Sequence, residues 1–286
     1  MNLNRSRIFI CIAFLIWIIP GIKGQDKSTF RPFSFIQLTD PQFGMFDSDK
    51  GFAKETVLYE KAVEAINRLK PDFVIMTGDF VNNKNDSTQI KEFKRITSKI
   101  RNDIPVFFIP GNHDIGVPVE KKETDKFIEN YGYDRFSFIK NNCLFIGINS
   151  CIIKSGVSKN EEEQFEWIKK ELEKGKDCIQ KIVFTHYPFF INTMDEPDLY
   201  SNIPGELRRK YFSLFNQNQV NAVFAGHLHK NASGKFQNTE MITTSALGKT
   251  VGQESSGFRI IKVTANNLES TYYSLETLPE SITFNH

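Results

Sequence analysis

From Phe33 onward, short apolar runs alternate with stretches whose apolar residues recur at helical spacing. The runs are 33–38, 73–76, 106–109, 144–148, 182–184 and 222–224, rich in Ile, Val and Phe. That is the pattern of strands buried on both faces. Between them Leu58, Ala62, Ala65, Ile66 and Leu69 repeat at helical spacing. So do Phe165, Ile168 and Leu172, and later Leu207, Tyr211, Leu214 and Phe215. Each set predicts an amphipathic helix. Strand and helix in alternation imply an α/β domain. The tail differs: runs 258–263 and 271–274 flank Ala265-Asn266-Asn267 and predict a closing hairpin.

Five of these strands end in residues able to bind a metal or move a proton. After Leu38 comes Thr39-Asp40-Pro41-Gln42, and after Met76 comes Thr77-Gly78-Asp79-Phe80-Val81-Asn82. Ile109 is followed by Pro110-Gly111-Asn112-His113-Asp114, and Phe184 by Thr185-His186-Tyr187-Pro188. After Phe224 stands Ala225-Gly226-His227-Leu228-His229. Ligand sites in open α/β sheets lie outside the carboxyl ends of the strands, so the five loops are expected to converge.

Histidine usage sharpens this expectation. Four of the five histidines, His113, His186, His227 and His229, fall in those loops; the fifth, His286, is the last residue. A single histidine is more often a core or surface imidazole than a ligand. Four in equivalent places beside Asp and Asn are harder to explain by packing. The run Asn112-His113-Asp114 carries most weight, because such residues are costly to bury without partners. His227 and His229, at i and i+2 on extended backbone, are expected to share a face.

In this order the motifs resemble those of the calcineurin-like metallophosphoesterase superfamily, which run Asp-x-His, Gly-Asp-x-x-Asp/Asn, Gly-Asn-His-Asp/Glu, a lone His and Gly-His-x-His. The resemblance spans 35–230, and segments 133–138, 164–174 and the final hairpin look familial too. One departure is Gln42, which stands where His is usual. The variant Asp40-Pro41-Gln42, followed by Phe43-Gly44, is similar to a branch containing a serine/threonine phosphatase.

The resemblance implies a four-layer α/β/β/α sandwich with its ligands on loops at the strand C-terminal ends. It also implies two metal ions. Asp40, Asp79 and His229 would hold one, with Gln42 offering an amide oxygen; Asp79, Asn112, His186 and His227 would hold the second. Asp79 would bridge them. His113 would give a proton or hydrogen bond to the substrate, with Asp114 orienting its ring. Mixed carboxylate, amide and imidazole ligands suit Mn, Fe or Zn better than Ca. The activity implied is hydrolysis of a phosphate monoester by a hydroxide bridging the metals, with a phosphodiesterase on the same site as the alternative. A third reading is a secreted binding module with a relict metal site; the His113-Asp114 pair speaks against it, since a bare metal scaffold needs no such pair. A serine hydrolase is excluded by the lack of a Gly-x-Ser-x-Gly elbow.

Composition changes this picture only at its margins. With 286 residues and 40% hydrophobic content, the chain can bury a full core without staples. Arg5 and Arg7 precede the apolar run 8–19, followed by Pro20, Gly21 and Gly24. This reads as a secretory signal peptide over 1–24, the run being short for a membrane span of ~20 residues. Residues 25–286 are then expected to form a single exported domain with no stable membrane insertion. Cleavage removes Arg5, Arg7 and Lys23 but no acid, so the formal charge falls from +2 to −1. A near-neutral chain lacks the field of a general nucleic-acid binder, and the expected partner is a phosphate ester. Lys121-Lys122 and Arg208-Arg209-Lys210 read as solvated helix faces. Three cysteines remain, Cys143, Cys151 and Cys178, an odd number that excludes a fully paired framework. Substrate choice is expected to lie in loops 44–54, 115–122, 153–160 and 191–204.

Overall fold

The computed structural model describes residues 30–284; the signal peptide expected over 1–24 and His286 lie outside them. In chain order the elements are β1 (Phe33–Leu38), α1 (Ala53–Leu69), β2 (Phe73–Thr77), α2 (Ser87–Thr97), β3 (Val106–Ile109), α3 (Asn112–Ile115), α4 (Lys121–Tyr131), β4 (Phe136–Lys140), β5 (Cys143–Gly147), α5 (Ser150–Lys154), α6 (Lys159–Lys174), β6 (Gln180–Phe184), α7 (Gly205–Gln217), β7 (Ala222–Ala225), β8 (Ala232–Phe236), β9 (Thr239–Thr243), β10 (Gly257–Val263) and β11 (Leu268–Ser274). They build two mixed sheets, one ordered β11-β10-β1-β2-β3 and the other β4-β5-β6-β7-β9-β8.

Alternation along each strand divides its residues between two cores. Phe33 and Phe35 of β1 and Phe73 and Ile75 of β2 point between the sheets, where they meet Phe145, Phe184 and Phe224. Phe35 and Phe73 each pack edge-on to Phe145, with ring centroids 5.6 and 5.1 Å apart. The opposite faces carry Ile36, Leu38, Val74 and Met76 in one sheet and Leu144, Ile146, Val183 and Val223 in the other. These join the apolar stripes of α1, α2, α6 and α7. The result is the four-layer α/β/β/α sandwich that the motifs implied.

One polar residue inside this apolar filling helps to position the site. Gln37, fully buried on the inner face of β1, donates to Thr77 Oγ1 (2.8 Å) and to the Ala225 carbonyl (3.3 Å), and accepts from Thr244. All its polar capacity on this side is met, as burial demands. The amide thereby ties the ends of β1 and β2 to the end of β7 in the facing sheet, just below the polar loops.

Three strands, β4, β8 and β9, go beyond the sequence reading, as do α2 and α4. Ala232–Phe236 reads ASGKF and shows no apolar alternation; it is a strand because β9 offers it a free edge. The α2 start was legible in principle, since the Asp86 side chain caps it by accepting from Thr88 and Gln89 N–H. The three cysteines are free thiols, so no bridge forms among them. No helix among the described residues is long and apolar enough to cross a membrane.

Candidate metal centre

The loops after β1, β2, β3, β6 and β7 meet at one end of the sandwich, and their backbone is unusual. Asp40, Gln42, Asp79, His227 and His229 all have positive φ, between 38° and 71°. Such residues cost of order 1–3 kcal/mol each and persist only where surroundings over-determine them. Here they do. Asp40 N–H donates to the Gly78 carbonyl (3.0 Å), Gln42 N–H to Asp79 (2.9 Å), and His227 N–H to Asp40 Oδ2 (3.0 Å). Gly78 is needed for the same closeness: at φ 90° a Cβ there would lie 2.5 Å from Gly111 N and 2.8 Å from His186 Nδ1. The extended backbone expected for His227-Leu228-His229 is therefore not found. Two left-handed residues turn the rings towards different neighbours instead.

Those neighbours form two groups of donor atoms, each within 4.8 Å: Asp79, His186 and His227, then Asp40, Asp79 and His229. Only Asp79 belongs to both. His186 Nδ1 donates to the Thr77 carbonyl (2.8 Å), which leaves Nε2 as the ring atom facing the other ligand groups. That Nε2 lies 3.1 Å from Asn112 Oδ1, 3.2 Å from His227 Nδ1 and 3.3 Å from Asp79 Oδ2. His229 is held likewise: Nδ1 donates to the Lys249 carbonyl, and Nε2 faces Asp40 Oδ1 at 3.4 Å. Gln42 Nε2 donates to Asn82 Oδ1 (3.2 Å), which leaves its buried Oε1 as the uncommitted atom. Buried Asp40 Oδ1 and Gln42 Oε1 find no hydrogen-bond donor in the protein, at about 1–3 kcal/mol apiece. Inward lone pairs, tautomers fixed by backbone carbonyls and orphaned oxygens are what a pair of bound cations requires. The residues present fit such a pair.

The charges are coupled accordingly. Burial works to raise the Asp79 carboxyl, but His186, with His113 and His227, holds it far below the ordinary carboxylate range. Burial works to lower His186, yet Asp79 beside it raises the ring to about 9. Burial and Asp40 act on His229 in the same opposed way, and it too rises to about 9. Burial and then the charged His186 push His227 down to about 3. Below about pH 9 the metal-free centre thus holds protons on His186 and His229, and a cation must displace both. Loading metal-stripped protein at pH 7 is expected to release about two protons, with affinity rising from neutral pH towards 9 and levelling above it. A pH-stat titration measures the release; none at pH 7 would contradict the pairing of these rings with Asp40 and Asp79.

His113 lies outside both groups. Its N–H donates to Asp79 Oδ1 (2.8 Å) and its ring Nδ1 to the Asn82 carbonyl (2.8 Å), leaving Nε2 for a ligand. The orienting partner is thus Asn82, not Asp114. The Asp114 carboxylate faces away and accepts three backbone N–H groups: Asp79 (2.7 Å), Gly111 (2.8 Å) and Phe80 (2.9 Å). It clamps two site loops together, while burial and the nearby Asp79 push its carboxyl up to about 8. Asn82 closes the Gly-Asp-x-x-Asn motif, so a signal for it existed. Tyr200 was marked only through its loop, 191–204, and not singled out; it brings its ring centroid to 5.3 Å from that of His227. Phe43, Phe189 and Phe190 are fully buried core, whereas Tyr187 packs on His227 at 4.0 Å.

Comparison with known proteins agrees with this geometry. Residues 33–231 match the calcineurin-like phosphoesterase family. The chain is 34% identical over 273 residues to the serine/threonine-protein phosphatase CPPED1 of Rattus norvegicus, covering 89% of this chain and 88% of that one. With the protein of the same name from Homo sapiens it shares 35% over 269 residues, 87% and 86% of the two chains. A dimetal phosphatase from Danio rerio has the same fold, with a TM-score of 0.63 over 85% of this chain and 96% of its own at 12% identity. Matched by the family over most of its length and by relatives at a third identity, the chain belongs to the calcineurin-like phosphoesterase family.

Proposed function

We propose that this protein is a metal-dependent phosphatase that hydrolyses phosphate monoesters with two transition-metal ions, drawn from Mn, Fe and Zn. The observation that carries the reading is the sharing of Asp79 between two donor groups, with the His113 ring held outside both. Asp40, Gln42, Asp79 and His229 would hold one ion, and Asp79, Asn112, His186 and His227 the other. When bound, such a pair neutralises phosphate charge and makes a water molecule more acidic. The remaining chemistry belongs to the chain. Thr77 and Lys249 carbonyls keep the His186 and His229 lone pairs aimed inward. Asn82 fixes the His113 tautomer, so that Nε2 can exchange a proton or hydrogen bond with the ester. The relatives named as serine/threonine phosphatases support the monoester reading.

The test is hydrolysis of p-nitrophenyl phosphate and its bis-ester by metal-stripped protein, with Mn, Fe or Zn added back. Metal-dependent turnover, faster on the monoester, is expected. A clear preference for the bis-ester would make this a phosphodiesterase, and silence on both esters with all three metals would refute the proposal.

A further inference from the structure

Segment 191–204, between β6 and α7, has no regular structure, yet it is tied down along its length. Glu196 accepts from the backbone N–H groups of Ile191 (2.7 Å), Asn192 (2.9 Å) and Thr193 (3.3 Å), and from Asn202 Nδ2 (2.7 Å). Buried Arg208 donates to the carbonyls of Met194 (2.7 Å) and Glu196 (2.8 Å). Asn202 Oδ1 accepts from Leu199 N–H (2.8 Å), and Lys154 Nζ donates to the Leu199 and Asn202 carbonyls at 2.6 Å each. The pinned carbonyls bracket Tyr200.

That scaffolding holds out an aromatic side chain that stays 71% exposed. Yet Tyr200 is not turned away from the metal centre. Its ring lies 5.3 Å from that of His227 and 6.4 Å from that of Tyr187, and Asn112 Nδ2 points to its hydroxyl at 3.4 Å. His227 and Asn112 sit on the His186 side of the centre. Any phosphate received there therefore has the Tyr200 ring beside it. A rigid loop that presents a large exposed ring next to a polar site is a recognition surface. The long hydroxyl contact gives the ring, rather than the oxygen, the larger part.

We infer that Tyr200 is the wall against which the organic part of the phosphate ester rests, so that the site favours groups with a flat apolar face. This rests on the phosphatase reading, but binding tests it without turnover. Phenylphosphonate and methylphosphonate share an anionic head and differ in the ring, and neither is hydrolysed. Each is titrated calorimetrically into metal-loaded wild type, Tyr200→Ala and Tyr200→Phe, with bound metal counted by elemental analysis. Wild type is expected to prefer phenylphosphonate. Tyr200→Ala should weaken phenylphosphonate about two- to tenfold and methylphosphonate by less than about twofold, with metal content unchanged. Tyr200→Phe should keep the preference. Equal weakening of both phosphonates, or lost metal, would show that Tyr200 merely braces Asn112 and His227, and overturn the inference. Unchanged phenylphosphonate affinity, or no binding of either ligand to wild type, overturns it too. Failure of the p-nitrophenyl phosphate assay alone would count against the phosphatase reading and not against this one.

Discussion

Asp79→Asn is expected to lose both metal ions together and at least about 10³-fold in turnover, the equivalent of some 4 kcal/mol of metal-supplied stabilisation. The substitution is nearly isosteric. An amide oxygen can still accept from His113 N–H, and the loop itself is held by the Asp114 carboxylate at the backbone N–H groups of positions 79 and 80. Folding should survive. What disappears is the one carboxylate common to both donor groups, together with the charge that raises His186 to about 9. Without that charge, burial works against the ring's proton, so the ring is expected to give it up more readily instead of remaining an unpaired buried cation. Elemental analysis reads the metal content directly. Thermal unfolding gives an independent measure: a ligand that binds only the folded state raises Tm, so added Mn should stabilise wild type and leave the variant unmoved. A variant that keeps two metals would remove Asp79 from the bridging position.

Asp79 could be found in the sequence for a physical reason that also marks where such reading stops. Strands β1, β2, β6 and β7 are buried on both faces, so their apolar runs end abruptly, and polar residues just beyond them have few roles but a shared site. Side-chain chemistry at a strand end is therefore visible in the text. Backbone chemistry is not. The group that orients His113 is the Asn82 carbonyl, and a carbonyl is carried by every residue. Asp114, an acid beside a histidine, looked like the orienting group, but its three N–H donors make it a loop clamp. Gly226-His227-Leu228-His229 misled in a similar way. The i, i+2 spacing suggested one face, whereas φ values of 71° and 53° send His227 to the His186 group and His229 to Asp40.

What lay furthest from view was whatever depends on long-range assembly. The edge strand β8 has no pattern of its own, and Tyr200 reaches His227 only because Glu196, Asn202, Arg208 and Lys154 shape the intervening loop. The same distinction applies to Gln42. Its place after β1 was legible, but which end of its amide is left uncommitted depends on Asn82, forty residues on. A glutamine in place of histidine is thus compatible with a ligand position here, because its amide nitrogen already has an acceptor and its oxygen lacks a donor.

His113→Ala is expected to give the opposite split from Asp79→Asn: both metals retained, and kcat lower by about 10²–10⁴. Retention follows from the geometry, since the bond that His113 gives Asp79 comes from its backbone N–H and survives in alanine. Alanine also suits the short helix α3 better than histidine does. The loss follows from the ring. With Nδ1 committed to the Asn82 carbonyl, Nε2 is the only atom it can offer a substrate, and His113 is half-buried and reachable. If Nε2 helps protonate the departing oxygen, the defect should be larger on an alkyl phosphate than on p-nitrophenyl phosphate, whose leaving group needs little help. An equal loss on both esters would assign the ring to holding the phosphoryl group. Unchanged kcat on both would take it out of the mechanism. A loss of metal would mean that the ring, through its field on Asp79, supports the centre and not the reaction. The metal count therefore has to be read beside the rate, because only a slow enzyme with a full centre places His113 at the substrate.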